Sequence, residues 1–221
     1  KKARAAYDEL FTILPFEADW WQARKVPAAY VGNPIADECP AVESDPEGPV
    51  ALLPGSRASE LEHVGPLLAQ SARHMLTMDA DVQFNVAVAP TLDRSAVEAT
   101  FAGLPVTYVE RLRDAVSGAS AALVCMGTAG LETALIGTPN VLTYRAAPVT
   151  WFIGNLLVRL DQTSPSNLVL DPGPWPEIMG RDADPETLAR TVMALRDPHA
   201  PERIEQLEAS QELRAKMAGG I

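Results

Sequence analysis

Two stretches of this sequence place glycine, a hydroxyl and a charged side chain directly after an apolar run. The first is Leu53-Pro54-Gly55-Ser56-Arg57. Gly55 lets a backbone approach an anion closely, Ser56 offers a hydroxyl, and the Arg57 guanidinium matches phosphate oxygens two at a time. The second is Val124-Cys125-Met126-Gly127-Thr128-Ala129-Gly130-Leu131-Glu132, where Thr128 reads as a capping hydroxyl. Its small residues keep a helix N-terminus open to a ligand, and Glu132, near the end of the first turn, can accept hydrogen bonds from both hydroxyls of a ribose. Each stretch also has a plain structural explanation. Gly-Ser is an ordinary turn dipeptide, and a carboxylate early in a helix complements the helix dipole. Neither GxGxxG nor GxxxxGK[ST] occurs, which disfavours a dinucleotide fingerprint and a Walker-type NTPase.

Other reactive residue types are scattered. His63, His74 and His199 lie far apart among acidic or polar neighbours, and Cys39 and Cys125 form neither a CxxC pair nor part of a metal quartet. Surface histidines, buried thiols in a reducing compartment and no metal are therefore expected. Trp20-Trp21 and Trp151-Phe152-Ile153 read as core or interface. Eighteen Lys and Arg against 29 Asp and Glu give a formal charge of −11, so a nucleic-acid partner would meet net repulsion, and no basic patch offsets it.

The elements that must hold the two stretches follow from apolar periodicity. Runs at Val50 to Leu53, Val82 to Ala89, Val106 to Val109, Ala122 to Cys125 and Val141 to Tyr144 read as buried strands. Helical patterns fill the gaps: Ser59 to Leu76, Ser95 to Phe101, Leu112 to Ala119, Ala129 to Ile136 and Trp151 to Leu160. Strands that are apolar throughout, each followed by a helix, imply a doubly wound parallel α/β sheet covered on both faces. Upstream, Arg4 to Leu10 reads as helix, Phe11 to Leu14 as strand, Glu17 to Arg24 as helix and Ala29 to Val31 as strand, a fragment of an α/β unit. The acidic stretch from Gly32 to Pro49, with Pro34, Pro40, Pro46 and Pro49, reads as an extended linker. Downstream, Asn167 to Leu170 and a Pro-rich turn precede a helix at Pro185 to Leu195. A charged outer helix, Pro201 to Met217, closes the chain, with Ile204, Leu207 and Leu213 as its apolar face. The expected division is 1–34, 35–49, 50–200 and 201–221. No apolar run reaches the roughly 18 residues of a spanning helix and no signal-peptide core follows Lys1, so a soluble, cytoplasmic chain is expected. The apolar segment Pro148 to Leu160, flanked by Arg145 and Arg159, fits a membrane-surface contact or subunit packing.

The motifs also stand in a familiar order. Ile13-Leu14-Pro15-Phe16-Glu17, Tyr30-Val31-Gly32-Asn33-Pro34, Leu53-Pro54-Gly55-Ser56-Arg57 with Glu60, Gly127-Thr128-Ala129 with Glu132, Gly137-Thr138-Pro139 and Tyr144-Arg145 together resemble the lipid-A-disaccharide synthase family. The resemblance covers nearly the whole chain and implies a Rossmann-like, GT-B C-terminal domain preceded by a remnant of an acceptor domain. It implies transfer of a 2,3-diacylglucosamine unit from UDP to a lipid monosaccharide phosphate, with inversion and no metal. Gly55, Ser56 and Arg57 would hold the donor diphosphate, Gly127 and Thr128 would lie under the nucleotide, and Glu132 would bind its ribose. Asn167 matches the Asn of a Leu-Pro-Asn motif near the donor. The family usually has His where Asn33 stands and Pro where Ser166 stands. The resemblance places the general base in an N-terminal half that this sequence lacks, so the chain alone is expected to bind nucleotide without turnover. Implied partners are a UDP-sugar donor and a glycolipid acceptor, with a peripheral inner-membrane contact and a homodimer left open. Another UDP-sugar enzyme of the same fold, or a non-catalytic nucleotide-binding module, are the alternatives.

Overall fold

The computed structural model describes residues 7–145, 162–180 and 183–219. Its main sheet contains β3 (Val50–Leu53), β4 (Phe84–Ala87), β5 (Val106–Val109), β6 (Ala121–Cys125), β7 (Asn140–Tyr144) and β8 (Glu177–Met179). The order is β5-β4-β3-β6-β7-β8, every pair parallel. Every residue of β3 and β6 is buried, which is why these strands are apolar throughout and not alternating. Alternate side chains serve two cores. Val50 and Leu52 face α3 (Ala58–Met78) and α8 (Pro185–Ala194), together with Val97 of α4 (Arg94–Thr100). Ala51 and Leu53 face α5 (Leu112–Val116), α6 (Thr128–Ile136) and α9 (Pro201–Met217). Strand order reverses between β3 and β6, the position at which doubly wound sheets open a crevice beyond their carboxyl ends.

A second, two-stranded parallel sheet pairs β1 (Leu10–Thr12) with β2 (Ala28–Tyr30) around α1 (Pro15–Gln22). The helix expected from Arg4 into Leu10 does not reach its end: residues 7–9 are irregular and Leu10 joins β1, where pairing with Ala28 prevails over a short run with no apolar face. Trp20 is exposed instead of packed in a core, with the Arg24 guanidinium 3.6 Å above its ring. The stretch expected to be an extended linker contains a five-residue helix, α2 (Pro34–Glu38). Asn33 makes it: the side-chain oxygen accepts from Ile35 N at 2.9 Å while the amide nitrogen donates to Ile13 O at 2.8 Å, with Pro34 at the first helical position. The expected helix at Trp151 to Leu160, like the rest of the Pro148 to Leu160 segment, lies outside the described residues.

Two further expectations change. β8 sits at the sheet edge directly after the Pro-rich turn through Pro172, Pro174 and Pro176, where no element was expected; three residues carry no periodicity, and an edge tolerates Pro176, whose carbonyl accepts from Leu142 N at 2.8 Å. α9 is not an outer helix resting on Ile204 and Leu207. Ile204 is 44% exposed, and the buried stripe is Arg203, Gln206, Ser210, Leu213 and Met217. The periodicity is helical but its first three members are polar, and each bonds to backbone, with Gln206 Nε2 left without a partner among the described residues. Arg203 donates to Ser120 O at 2.6 Å, Leu195 O at 2.7 Å and Ser44 O at 3.2 Å; Gln206 accepts from Asn140 N at 2.7 Å; Ser210 donates to Ala134 O at 2.5 Å. Burial lowers the Arg203 pKa, opposed by nearby Asp45, and the ring of carbonyls offsets the loss of water. Tyr30 donates to Met217 O at 2.7 Å, so α9 also ties the small sheet to the large one.

Candidate functional site

In-register pairing sets Leu53 beside Val124, so the loops leaving β3 and β6 start from adjacent strands about 4.8 Å apart. Their convergence is a property of strand order. The loops open into one cleft of about 600 Å³, lined by Gly55, Ser56, Arg57, Gly127, Thr128 and Glu132. Ala89 and Pro90 beyond β4 and Glu110 and Arg111 beyond β5 complete the wall on one side, and Cys125 and Met126 form the floor. Periodicity locates these strands but not their order, so the contribution of the β4 and β5 loops was not readable from sequence.

The β6 corner is open. Gly127 is the N-cap residue of α6, with φ of 152° and ψ of −149°, a conformation almost reserved for glycine. Thr128 is the first helical residue and not the cap, and no side chain caps the helix. The Thr128 and Ala129 amides have no intrahelical acceptor and stand, with the positive end of the helix dipole, at the cleft, while Gly130 N donates to Gly127 O at 3.1 Å. Gly130, at the third helical position, lets α6 press on β7: a Cβ there would lie 2.6 Å from Leu142 Cδ2. Glu132, two residues further on, is half-buried. Burial raises its pKa, countered by the Arg113 guanidinium and a hydrogen bond from Cys39, while Glu38 pushes it further up. Cys125 is 3% exposed and its thiol is pushed up to about 12, first by burial and then by Glu60, so it remains a neutral floor residue.

The β3 corner is occupied. Gly55 has φ of 103°, and the Glu60 carboxylate sits against it, with one oxygen accepting from Ser56 N at 2.7 Å and Arg57 N at 3.1 Å. The other oxygen accepts from Arg57 Nη1 at 2.5 Å. Gly55 is thus needed for an anion to approach, but the anion in place belongs to the chain itself. Arg57 remains 76% exposed over the cleft, whereas Glu60 is 13% exposed.

Asn167 takes a different part from the one its motif implies. It is fully buried in α7 (Pro165–Leu170) and does not line the cleft. Its amide nitrogen donates to Trp175 O and Glu177 Oε1, both at 2.8 Å, and its oxygen accepts from Trp175 N at 3.1 Å, so its hydrogen-bonding capacity is spent internally. It reaches the site indirectly. Glu177 also accepts from Thr163 N, Thr163 Oγ1 and Ser164 N, and Thr163 Oγ1 contacts the sulfur of the floor residue Met126 at 3.3 Å. Burial favours raising the Glu177 pKa, yet the hydrogen bonds from Asn167, Ser164 and Thr163 prevail and hold it below the usual range. Ser166, where the family usually has Pro, is buried with its hydroxyl 3.3 Å from that of Ser164. Among the described residues no group of three or more His, Cys, Asp and Glu has the geometry to hold a metal ion, and no helix is long and apolar enough to cross a membrane.

Comparison with known proteins places this geometry. The family described as lipid-A-disaccharide synthetase matches residues 1–218. A lipid-A-disaccharide synthase of Pseudomonas syringae pv. tomato is 37% identical over 215 residues, covering 90% of this chain and 56% of that protein. The chain thus spans little more than half the length of such relatives. Among solved structures, the calicheamicin glycosyltransferase CalG4 superposes with a TM-score of 0.56 at 18% identity, over 94% of this chain and 48% of that one. Arabidopsis thaliana UGT89C1, solved with UDP, gives 0.53 at 16% identity, over 96% and 54%. At these identities the structures share the fold, which is that of the GT-B glycosyltransferases.

Proposed function

Because the chain belongs to the lipid-A-disaccharide synthetase family, we propose that it forms the donor-binding half of a glycosyltransferase that moves a 2,3-diacylglucosamine unit from UDP to a lipid monosaccharide phosphate. The observation that carries this reading is the opening of Arg57 and Glu132 into one cleft at the strand-order switch. The diphosphate lies between the Arg57 guanidinium and the first-turn amides of α6, and ionised Glu132 accepts the two ribose hydroxyls. When the acceptor hydroxyl attacks the anomeric carbon, the bond to the β-phosphate oxygen breaks and negative charge gathers on departing UDP. Arg57 and the α6 amides are placed to stabilise that charge. Asn167 acts in this scheme through Glu177, Thr163 and Met126 and touches no donor atom. The acceptor and its general base belong to the part of the longer relatives that this chain does not span, so the chain alone binds UDP without transferring sugar. The reading puts the protein in the cytoplasm, with peripheral access to a lipid acceptor.

Calorimetric titration of the chain with UDP tests the site. Saturable binding is expected, weakened about thirtyfold by Arg57→Ala, the effect of losing hydrogen bonds between charged partners, and about tenfold by Glu132→Ala. Absence of binding by the parent chain, or variants that bind as the parent does, would remove the assignment.

A further inference from the structure

Glu60 is the one carboxylate of the cleft whose oxygens are both engaged by the loop that carries the diphosphate-facing arginine. Three bonds converge on it: two from the backbone amides of Ser56 and Arg57 at 2.7 and 3.1 Å, and one from Arg57 Nη1 at 2.5 Å. It stands at the third residue of α3, so the helix fixes its distance from the loop; Glu60 N in turn donates to Arg57 O at 2.9 Å. The close approach is built in, since a Cβ on Gly55 would fall 2.4 Å from Glu60 Oε2. Among the described residues only one guanidinium nitrogen of Arg57 is used. A guanidinium has five N–H groups in a rigid plane, so the Nε and Nη2 edge remains able to grip an anion while Nη1 is held.

An exposed arginine left to itself would explore many rotamers and lose that freedom on binding phosphate. We propose that Glu60 is a positioning residue for the donor diphosphate: it presets the Arg57 guanidinium and occupies the Ser56 and Arg57 amides, so that phosphate oxygens meet Arg57 from one side and the α6 amides from the other. The β3 loop amides are then not phosphate ligands, although the glycine-hydroxyl-arginine pattern suggests that they are. The proposal rests on the donor-site reading above and adds a coupling to it. Glu60 acts on the diphosphate only through Arg57, and it does not act on the nucleoside held near Glu132.

The test is a double-mutant cycle on the full chain with Glu60→Gln, Arg57→Ala and the pair, titrated by NMR with UDP and, separately, with uridine. Glutamine keeps an oxygen for the loop amides but removes the charge that holds the guanidinium. Glu60→Gln is expected to weaken UDP about tenfold, leave uridine within about twofold, and add nothing once Arg57 is alanine. A residue that only caps α3 would instead weaken UDP and uridine alike and add to Arg57→Ala. Tighter UDP binding by Glu60→Gln would mean that the carboxylate competes with the diphosphate. Either result overturns the proposal. Failure of the parent chain to bind UDP overturns the donor-site reading and Glu60's role with it, whereas intact Arg57 dependence with additive Glu60 overturns the Glu60 role alone.

Discussion

The two corners of the cleft are written alike and finished differently. Each has a buried strand, a glycine at positive φ, a hydroxyl residue and a helix. The difference lies at the third helical position, which is Glu60 in α3 and Gly130 in α6. A glutamate there reaches back and satisfies the loop amides; a glycine there cannot, and it lets the helix settle on β7. One corner therefore offers a side-chain cation with its backbone already bonded, and the other offers backbone donors with no side-chain cap. An anion between them meets complementary halves.

That contrast predicts unequal responses to the same backbone change. Proline at a first helical position keeps the helix and deletes one amide. Thr128→Pro removes a donor from the open corner and should weaken UDP about tenfold, whereas Ala58→Pro, at the equivalent place in α3, should leave affinity within about twofold. Calorimetry on both variants decides the matter, and equal losses would erase the distinction between the corners. A smaller effect separates the two glycines. Both sit in backbone regions that penalise a side chain, but a Cβ at Gly127 meets nothing within 4 Å while one at Gly55 meets the Glu60 carboxylate. Thermal or urea unfolding should show Gly127→Ala costing about 1 kcal/mol and Gly55→Ala about 1 kcal/mol more, the excess being the cost of dislodging Glu60.

Much of this architecture was legible because it is written in period and composition. The apolar runs located five of the six main-sheet strands, and the fold class followed from strands that alternate with helices. What failed to show was decided by partners far along the chain. The burial of Arg203 and Gln206 depends on Ser44, Ser120 and Asn140, and polar residues at helical spacing look like a solvated face until those acceptors are known. β8 has only three residues and draws its place from β7. At the site, Gly55, Arg57 and Glu132 could be singled out by type, and their shared cleft required strand order. Asn167 was singled out by motif, yet its amide is consumed by Trp175 and Glu177, a fact that no local pattern carries. Glu60 was visible three residues after Arg57 without any sign that both of its oxygens were engaged.

The smallest predicted effect is also the one that separates the open corner from the stability of the fold. Burial, the largest influence on Glu132, raises its carboxyl pKa above the ordinary glutamate value, against the pull of Arg113 and Cys39. The folded chain therefore holds this proton more tightly than the unfolded chain does. Stability from this group is fully present below the unfolded value and is lost as pH rises through the folded one. Binding runs the other way, because only the ionised carboxylate accepts two hydroxyl hydrogen bonds without giving up an oxygen to its own proton. UDP affinity should rise a few-fold as pH climbs from about 4.5 through the raised value, in a window where the first phosphate ionisation of UDP is already complete. Glu132→Gln should flatten that part of the profile and bind more weakly than the parent at neutral pH. It should also remove the opposing decline in unfolding free energy. A profile that keeps its slope in Glu132→Gln would assign the titration to another group, and the ribose would then have to be held from the β5 side of the cleft, where Glu110 and Arg111 stand at the wall.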